Sequence, residues 1–320
     1  MTNKPDRNLG VELVRATEAA AIKASAWIGR GDKNAADGAA VEAMRDFLNT
    51  VDFRGTVVIG EGEKDEAPML ANGEVVGNGN GPECDIAVDP VDGTSVTASG
   101  RAHAISVIAV ADKGTMYNPK DVFYMDKLIT RIEGKGVVSL DASAEENVRE
   151  LAKALKKDVS EITVAMIDRP RHVALMEAVR RAGARTRLFL DGDVAAGIHA
   201  VTGGGNIDML LGIGGAPEGA ISACATQALD GYMQGRISPQ SPEEMKKAIT
   251  AGHDLEKIFE INDLVASDNT YFVATGVTDG LLLDGVQKRG DYLRTDSIIL
   301  RARSGTIRRV KADYLASRWI

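Results

Sequence analysis

The sequence predicts an α/β protein, and three observations carry that reading. From Ser143 onward, strand-like and helix-like hydrophobic patterns alternate. Several short apolar runs end directly in glycine and acid turns. The chain holds 34 glycines but only 4% aromatic residues, which suits glycine-looped α/β architecture better than an aromatic-rich sandwich. At 320 residues and 44% hydrophobic content the chain has enough apolar side chains for a sizeable core.

In chain order, Leu13, Ala16, Ala20 and Trp27 recur at helical spacing and predict a helix from Leu9 to Ile28. Val41, Met44 and Leu48 predict a second, from Ala36 to Leu48. The period then changes. Thr56 to Ile59, Asp85 to Asp89 and His103 to Ala111 read as strands, while Val122 to Ile132 is ambiguous. Gly77 to Pro82 is a turn or short loop. Ser143 and Glu146 form a capping-box pair ahead of Val148, Leu151 and Leu155. Strands follow at Ile162 to Ile167, Leu188 to Leu190, Ile207 to Ile213 and Tyr271 to Val277. Helices are expected from Pro170 to Gly183, Val194 to Val201 and Pro217 to Leu229, with another opened by Ser241 and Glu244 and ending near Gly252. The run Arg301, Arg303, Arg308, Arg309 and Lys311 alternates like an exposed strand. A soft division near residue 140 separates an N-terminal α+β half (1–140) from a Rossmann-like half (141–320).

A net charge of −8 argues against nucleic acid as a partner, since phosphate neutralisation needs a basic surface. No apolar run approaches the ~18 residues of a membrane span. The first residues carry no apolar signal region, so a cytoplasmic protein is expected, with Cys84 and Cys224 reduced.

The chemistry is concentrated at strand ends. Ile59 leads into Gly60-Glu61-Gly62-Glu63, and Val88 into Asp89-Pro90-Val91-Asp92-Gly93-Thr94. Asp37 lies upstream, and Glu218 opens a helix after Gly214-Gly215-Ala216-Pro217. Each motif alone reads as a solvated turn or a helix cap. Together they suit metal-assisted phosphate hydrolysis: Mg²⁺ and Mn²⁺ prefer carboxylate oxygens, and a phosphate ester approaches an acid cluster only with cations between. His172 reads as structural, and the four histidines have no zinc-type spacing.

These motifs resemble the class II (GlpX-type) fructose-1,6-bisphosphatases, within the lithium-sensitive metal-dependent sugar phosphatases. The resemblance rests on Gly31 to Gly38, Val58 to Glu63, Asp65 to Leu70, Asp85 to Pro90, Arg169 to His172, Asp191 to Val194 and Gly212 to Gly219, and covers nearly the whole chain. It implies a layered α/β/α/β/α sandwich, homo-oligomers (dimer or tetramer), and Mn²⁺ or Mg²⁺ held by Asp37, Glu61, Asp89, Asp92 and Glu218. It implies that Thr94 helps activate the attacking water, with Lys33 and Asp65 lining the catalytic centre. Asp92, Gly93, Thr94, Tyr124, Arg169, Pro170, Arg171, Asp191, Gly192, Asp193 and Gly215 fall on sugar-phosphate contacts.

Asp92 stands where many members carry Glu, and Arg169 where some carry Lys. Arg at 169 resembles photosynthetic members that also cleave sedoheptulose-1,7-bisphosphate. The expected reaction is hydrolysis of the 1-phosphate of fructose-1,6-bisphosphate in gluconeogenesis. The rival readings are a dual fructose/sedoheptulose bisphosphatase, an inositol or nucleotide phosphatase, and a sugar-phosphate-binding regulator without turnover.

Overall fold

The structure, a computed structural model, describes residues 9–60, 70–120 and 122–319. The chain opens with helices α1 (Leu9–Ser25) and α2 (Lys33–Leu48), then strands β1 (Arg54–Ile59), β2 (Val75–Val76) and β3 (Glu83–Asp92). A short helix α3 (Thr94–Ala98) leads to β4 (Ile105–Asp112) and β5 (Tyr124–Arg131). Alternation follows: α4 (Ala144–Leu155), β6 (Thr163–Ile167), α5 (Val173–Arg181), β7 (Arg185–Phe189), α6 (Val194–Thr202), β8 (Met209–Gly215), α7 (Pro217–Ala228) and β9 (Gly231–Ile237). The remainder is α8 (Pro242–Thr250), β10 (Phe259–Glu260), α9 (Ile261–Leu264), β11 (Tyr271–Gly276), β12 (Gln287–Arg289), β13 (Tyr292–Arg301) and β14 (Thr306–Leu315).

The strands form two mixed sheets. The first runs β12-β13-β11-β4-β3-β1-β2, with β14 outside β13; the second runs β10-β9-β5-β8-β6-β7. Helices α6 and α7 lie between them: Val194, Ile198, Ala220, Ile221 and Cys224 share one core with Ala87, Val107 and Ala109 of the first sheet and Met125, Ile129 and Leu210 of the second. Leu13, Ala20, Val41 and Met44 of α1 and α2 pack on the outer face of the first sheet. Val148, Leu151, Met176 and Val179 of α4 and α5 pack on the outer face of the second. The layers are therefore α/β/α/β/α, as the resemblance implies.

The Rossmann-like expectation holds only locally. Parallel pairing in the second sheet is confined to β6 with β7 and β6 with β8, while β5, β9 and β10 run antiparallel to their neighbours. Nor do the sheets divide at residue 140. β5 precedes it and belongs to the second sheet, whereas β11 to β14 return to the first.

Most elements sit where periodicity puts them. Ser143 and Ser241 cap α4 and α8, each accepting from the backbone three residues on. α1 ends at Ser25 rather than Ile28, and the chain turns through Gly29 and Gly31 at positive φ. The edge strand β7 starts at Arg185 rather than Leu188, and only Phe189 in it is buried. β9 and β13 escape the sequence pattern. Gly231, Gln234 and Gly235 blur the first, and Thr295, Asp296 and Ser297 interrupt the second, although all six are buried. Cys84 and Cys224 are free and buried, and burial pushes their thiols up to about 11 and about 12.

Candidate active site

Asp89 and Asp92 both belong to β3, and a plain strand would send residues three apart to opposite faces. The β3–β4 ladder avoids this. It pairs Asp89 with Val107 and Asp92 with Ile105, so Pro90 and Val91 stand against Ser106 alone. The extra residue is a bulge, and it brings the two carboxylates to one side. Pro90 has no amide to lose from the ladder there. The Val91 amide donates to Asp89 Oδ1 at 3.0 Å. Gly93 then turns the chain at φ +103 into α3, whose first residue is Thr94.

Three further segments converge on the same place. α2 starts under the cap of Asp32, whose side chain accepts from the Ala35 amide at 2.9 Å. Lys33 and Asp37, one helical turn apart, then share a face. Asp191 and Gly192 turn the chain between β7 and α6. Pro217 opens α7 and places Glu218 in its first turn. An open cavity of about 320 Å³ is lined by Lys33, Asn34, Asp37, Asp89, Asp92, Gly93, Thr94, Asp191 and Glu218. It lies at the seam of the sandwich, with β3 on one side and the ends of β7 and β8 on the other.

The remaining predicted contacts sit on β5, β8 and the segments that follow β6 and β7. Arg169 Nη1 donates to the Leu190 carbonyl at 2.5 Å, and its Nη2 lies 3.4 Å from Asp191 Oδ1. Pro170 begins a single 3₁₀ turn ahead of α5. Arg171 bonds the Ile213 carbonyl through Nε and Nη2 at 3.3 and 2.9 Å, with its guanidinium 5.0 Å over the Tyr124 ring. Gly192, at φ +72, lies against Asp92: a Cβ there would sit 3.0 Å from Oδ1. A Cβ on Gly215 would overlap Glu218 Oε2 at 1.8 Å. Asp193 Oδ2 meets the ammonium of Lys127 at 2.5 Å. Glu61, Glu63 and Asp65 lie outside the described residues.

His172 is fixed by both ring nitrogens. Nδ1 donates to the Ile167 carbonyl at 2.7 Å, and Nε2 accepts from the Ile213 amide at 2.8 Å. Burial holds its pKa below the usual value, in keeping with a neutral structural imidazole.

The site's electrostatics are those of crowded acids. Burial, reinforced by Asp193, Glu218 and Asp191, pushes the Asp92 carboxyl well above the usual range. Burial also raises Glu218, against the pull of Lys127 and with the push of Asp193 and Asp191. Asp92 Oδ2 and Glu218 Oε2 are buried without a hydrogen-bond partner. Buried carboxylate oxygens left bare in this way fit a hard divalent cation, which takes oxygen donors. Among the described residues, no three such side chains form a metal-ligand group by themselves.

Sequence reasoning missed two residues here. Asn34 lines the cavity beside Lys33. Lys127 lies fully buried in the middle of β5; its one signal was a lysine within Tyr-Met-Asp-Lys-Leu-Ile-Thr, a run otherwise fit for a strand.

Comparison with known proteins shows the family. Residues 7–314 match the family model described as bacterial fructose-1,6-bisphosphatase, glpX-encoded. The chain is 44% identical over 325 residues to fructose-1,6-bisphosphatase 1 class 2 of Escherichia coli (strain K12), covering 98% of this chain and 96% of the relative. The same identity and coverage hold for the fructose-1,6-bisphosphatase class 2 of Shigella flexneri. With its acids gathered at the seam of a five-layer sandwich, the chain belongs to the bacterial glpX-encoded fructose-1,6-bisphosphatases.

Proposed function

We propose that this protein hydrolyses the 1-phosphate ester of fructose-1,6-bisphosphate, giving fructose-6-phosphate and inorganic phosphate, a gluconeogenic step. One observation carries the reading: Asp89 and Asp92 from the first sheet face Asp191 and Glu218 from the second across a single cavity, in a chain whose full-length relatives are named for this activity. The 1–140 half brings Asp37, Glu61, Asp89 and Asp92; the 141–320 half brings Glu218 and the substrate contacts.

Asp37, Glu61, Asp89, Asp92 and Glu218 hold the divalent cation, Mn²⁺ or Mg²⁺. When bound, that cation neutralises phosphoryl oxygens and lowers the pKa of a water. The protein's own groups do the rest. Thr94 Oγ1 takes a proton from the attacking water while passing its own to a carboxylate, for which the resemblance offers Asp37 or Asp65. The new O–P bond forms as the bond from phosphorus to the sugar oxygen breaks, the departing sugar oxygen takes a proton from solvent water, and no covalent enzyme intermediate is required. Lys33 offsets negative charge on the transferring group.

The second phosphate lies against Arg169 and Arg171. Their planar forks suit a phosphate dianion, and Arg171 is already held over the Tyr124 ring. Asp191 accepts from sugar hydroxyls beside Gly192. Asp193 supports that turn through its ion pair with Lys127. The enzyme works in the cytoplasm as a homo-oligomer.

The test is phosphate release from fructose-1,6-bisphosphate, sedoheptulose-1,7-bisphosphate and inositol phosphate with Mn²⁺ or Mg²⁺. Turnover should be greatest on fructose-1,6-bisphosphate, stop with EDTA, and return with either cation. Asp89→Ala should fold normally and lose activity by at least about a thousandfold. Retained turnover by that variant, or after exhaustive cation removal, would refute the mechanism.

A further inference from the structure

One charged side chain outside the assigned set is placed unlike any other. Lys127 lies at the middle of β5 with no exposed surface. A buried ammonium is costly unless it is paired and hydrogen-bonded. Its Nζ lies 2.5 Å from Asp193 Oδ2 and donates to the Gly215 carbonyl at 3.0 Å. Asp193 closes the turn that begins at Asp191. Gly215 ends β8, three residues before Glu218.

The surroundings are fitted to this arrangement. A Cβ on Gly214 would fall 1.9 Å from Asp193 Oδ2 and 3.0 Å from the Lys127 ammonium. Gly215 likewise leaves room for Glu218. Lys127 is not needed to hold β5 to β8, because a ladder from Tyr124–Gly215 to Thr130–Met209 already does so. The Asp191–Asp193 turn has no such ladder to the Glu218 turn, and the ammonium bonds both.

We infer that Lys127 is a positioning residue for the phosphatase reaction: by bonding Asp193 and the Gly215 carbonyl together, it sets the sugar-side turn and the Glu218 turn at one separation. The inference rests on the proposed roles of Asp191 and Glu218. The pair's charges cancel, so removing both members takes away the tether without changing the net charge beneath the acids.

The test is the charge-balanced double variant K127M/D193N beside wild type. Folding is read by thermal unfolding, Mn²⁺ affinity by calorimetry without substrate, and kcat and KM on fructose-1,6-bisphosphate at saturating Mn²⁺. Small misplacements of reacting groups cost on the order of 100-fold in rate. The double variant should therefore lose about 100-fold in kcat with KM within about threefold, and bind Mn²⁺ about tenfold more weakly. A variant with a lower melting temperature but with kcat and Mn²⁺ affinity within about twofold of wild type overturns the inference, because Lys127 would then serve stability alone.

If the double variant does not fold, Asp193→Asn decides. A fall of about tenfold in kcat at unchanged KM supports positioning, whereas a raised KM at unchanged kcat overturns it. If wild type leaves fructose-1,6-bisphosphate intact, the functional reading fails by itself. Mn²⁺ affinity of the double variant then judges Lys127: weaker binding supports the tether, and unchanged binding overturns it.

Discussion

At the scale of single residues, the site depends on atoms that are missing as much as on those present. Gly192 takes φ +72 with Asp92 packed where a side chain would go. Gly192→Ala should cost about 1–2 kcal/mol of stability from backbone strain. It should also lower kcat by about tenfold, because the added methyl presses on the Asp92 carboxylate. Gly136 supplies the control: it has φ +77 with nothing near its would-be Cβ. Gly136→Ala should show the stability loss alone, so unfolding curves and initial rates on the two variants separate strain from contact. Asp89, Asp92 and Glu218 stood out in the sequence because each follows an apolar or glycine-rich run, whereas roles for Asp37, Thr94 and the arginines came from the family resemblance. Lys127 was not legible, because a lysine inside a strand normally faces water and nothing local announces an aspartate 66 residues on.

At the scale of elements, α1 carries a buried acid. Glu18 is 2% exposed and accepts from the Thr295 hydroxyl at 3.0 Å and from the Tyr314 hydroxyl, so α1 is joined to β13 and β14 by a carboxyl group. Burial raises its pKa above the usual value, against the pull of those donors and of Arg15. An acid whose pKa is raised on folding adds stability while protonated, at low pH. That contribution is lost as pH rises through the folded-state value. Glu18→Gln should therefore raise the melting temperature by a few degrees near neutral pH and leave it unchanged at about pH 4 and below. Equal shifts at both pH values would contradict this account. The strands that α1 covers also show where pattern reading stops. β3 and β4 are almost wholly buried and carry the apolar runs Ile86–Val88 and Ile105–Ala111, which made them legible. β13 was hidden because Thr295 and Ser297 are buried through hydrogen bonds to Glu18 and Thr275, not by apolar character.

For the whole molecule, the cavity is the place where the two halves of the sandwich present like charge to each other. Asp37, Asp89 and Asp92 come from one side, Asp191 and Glu218 from the other. Repulsion across that seam weakens the cation-free protein. A ligand bound only by the folded state stabilises by about 2.7 kcal/mol at a hundredfold excess over its Kd. Thermal unfolding should accordingly rise with Mn²⁺ or Mg²⁺, and the rise should shrink in Asp92→Asn; no shift in wild type would count against a cation at the seam. The layer order came from the family resemblance rather than from the placed helices and strands. The exchange of strands between sheets was not legible, since β5 and β11 carry no mark of which sheet they join. That exchange governs the order of assembly. Residues 124–260 supply every strand of the second sheet, so it is complete before β11 is made. The first sheet meanwhile waits with the open edge of β4 exposed until β11 emerges, and the nascent chain is most vulnerable to wrong partners in that interval.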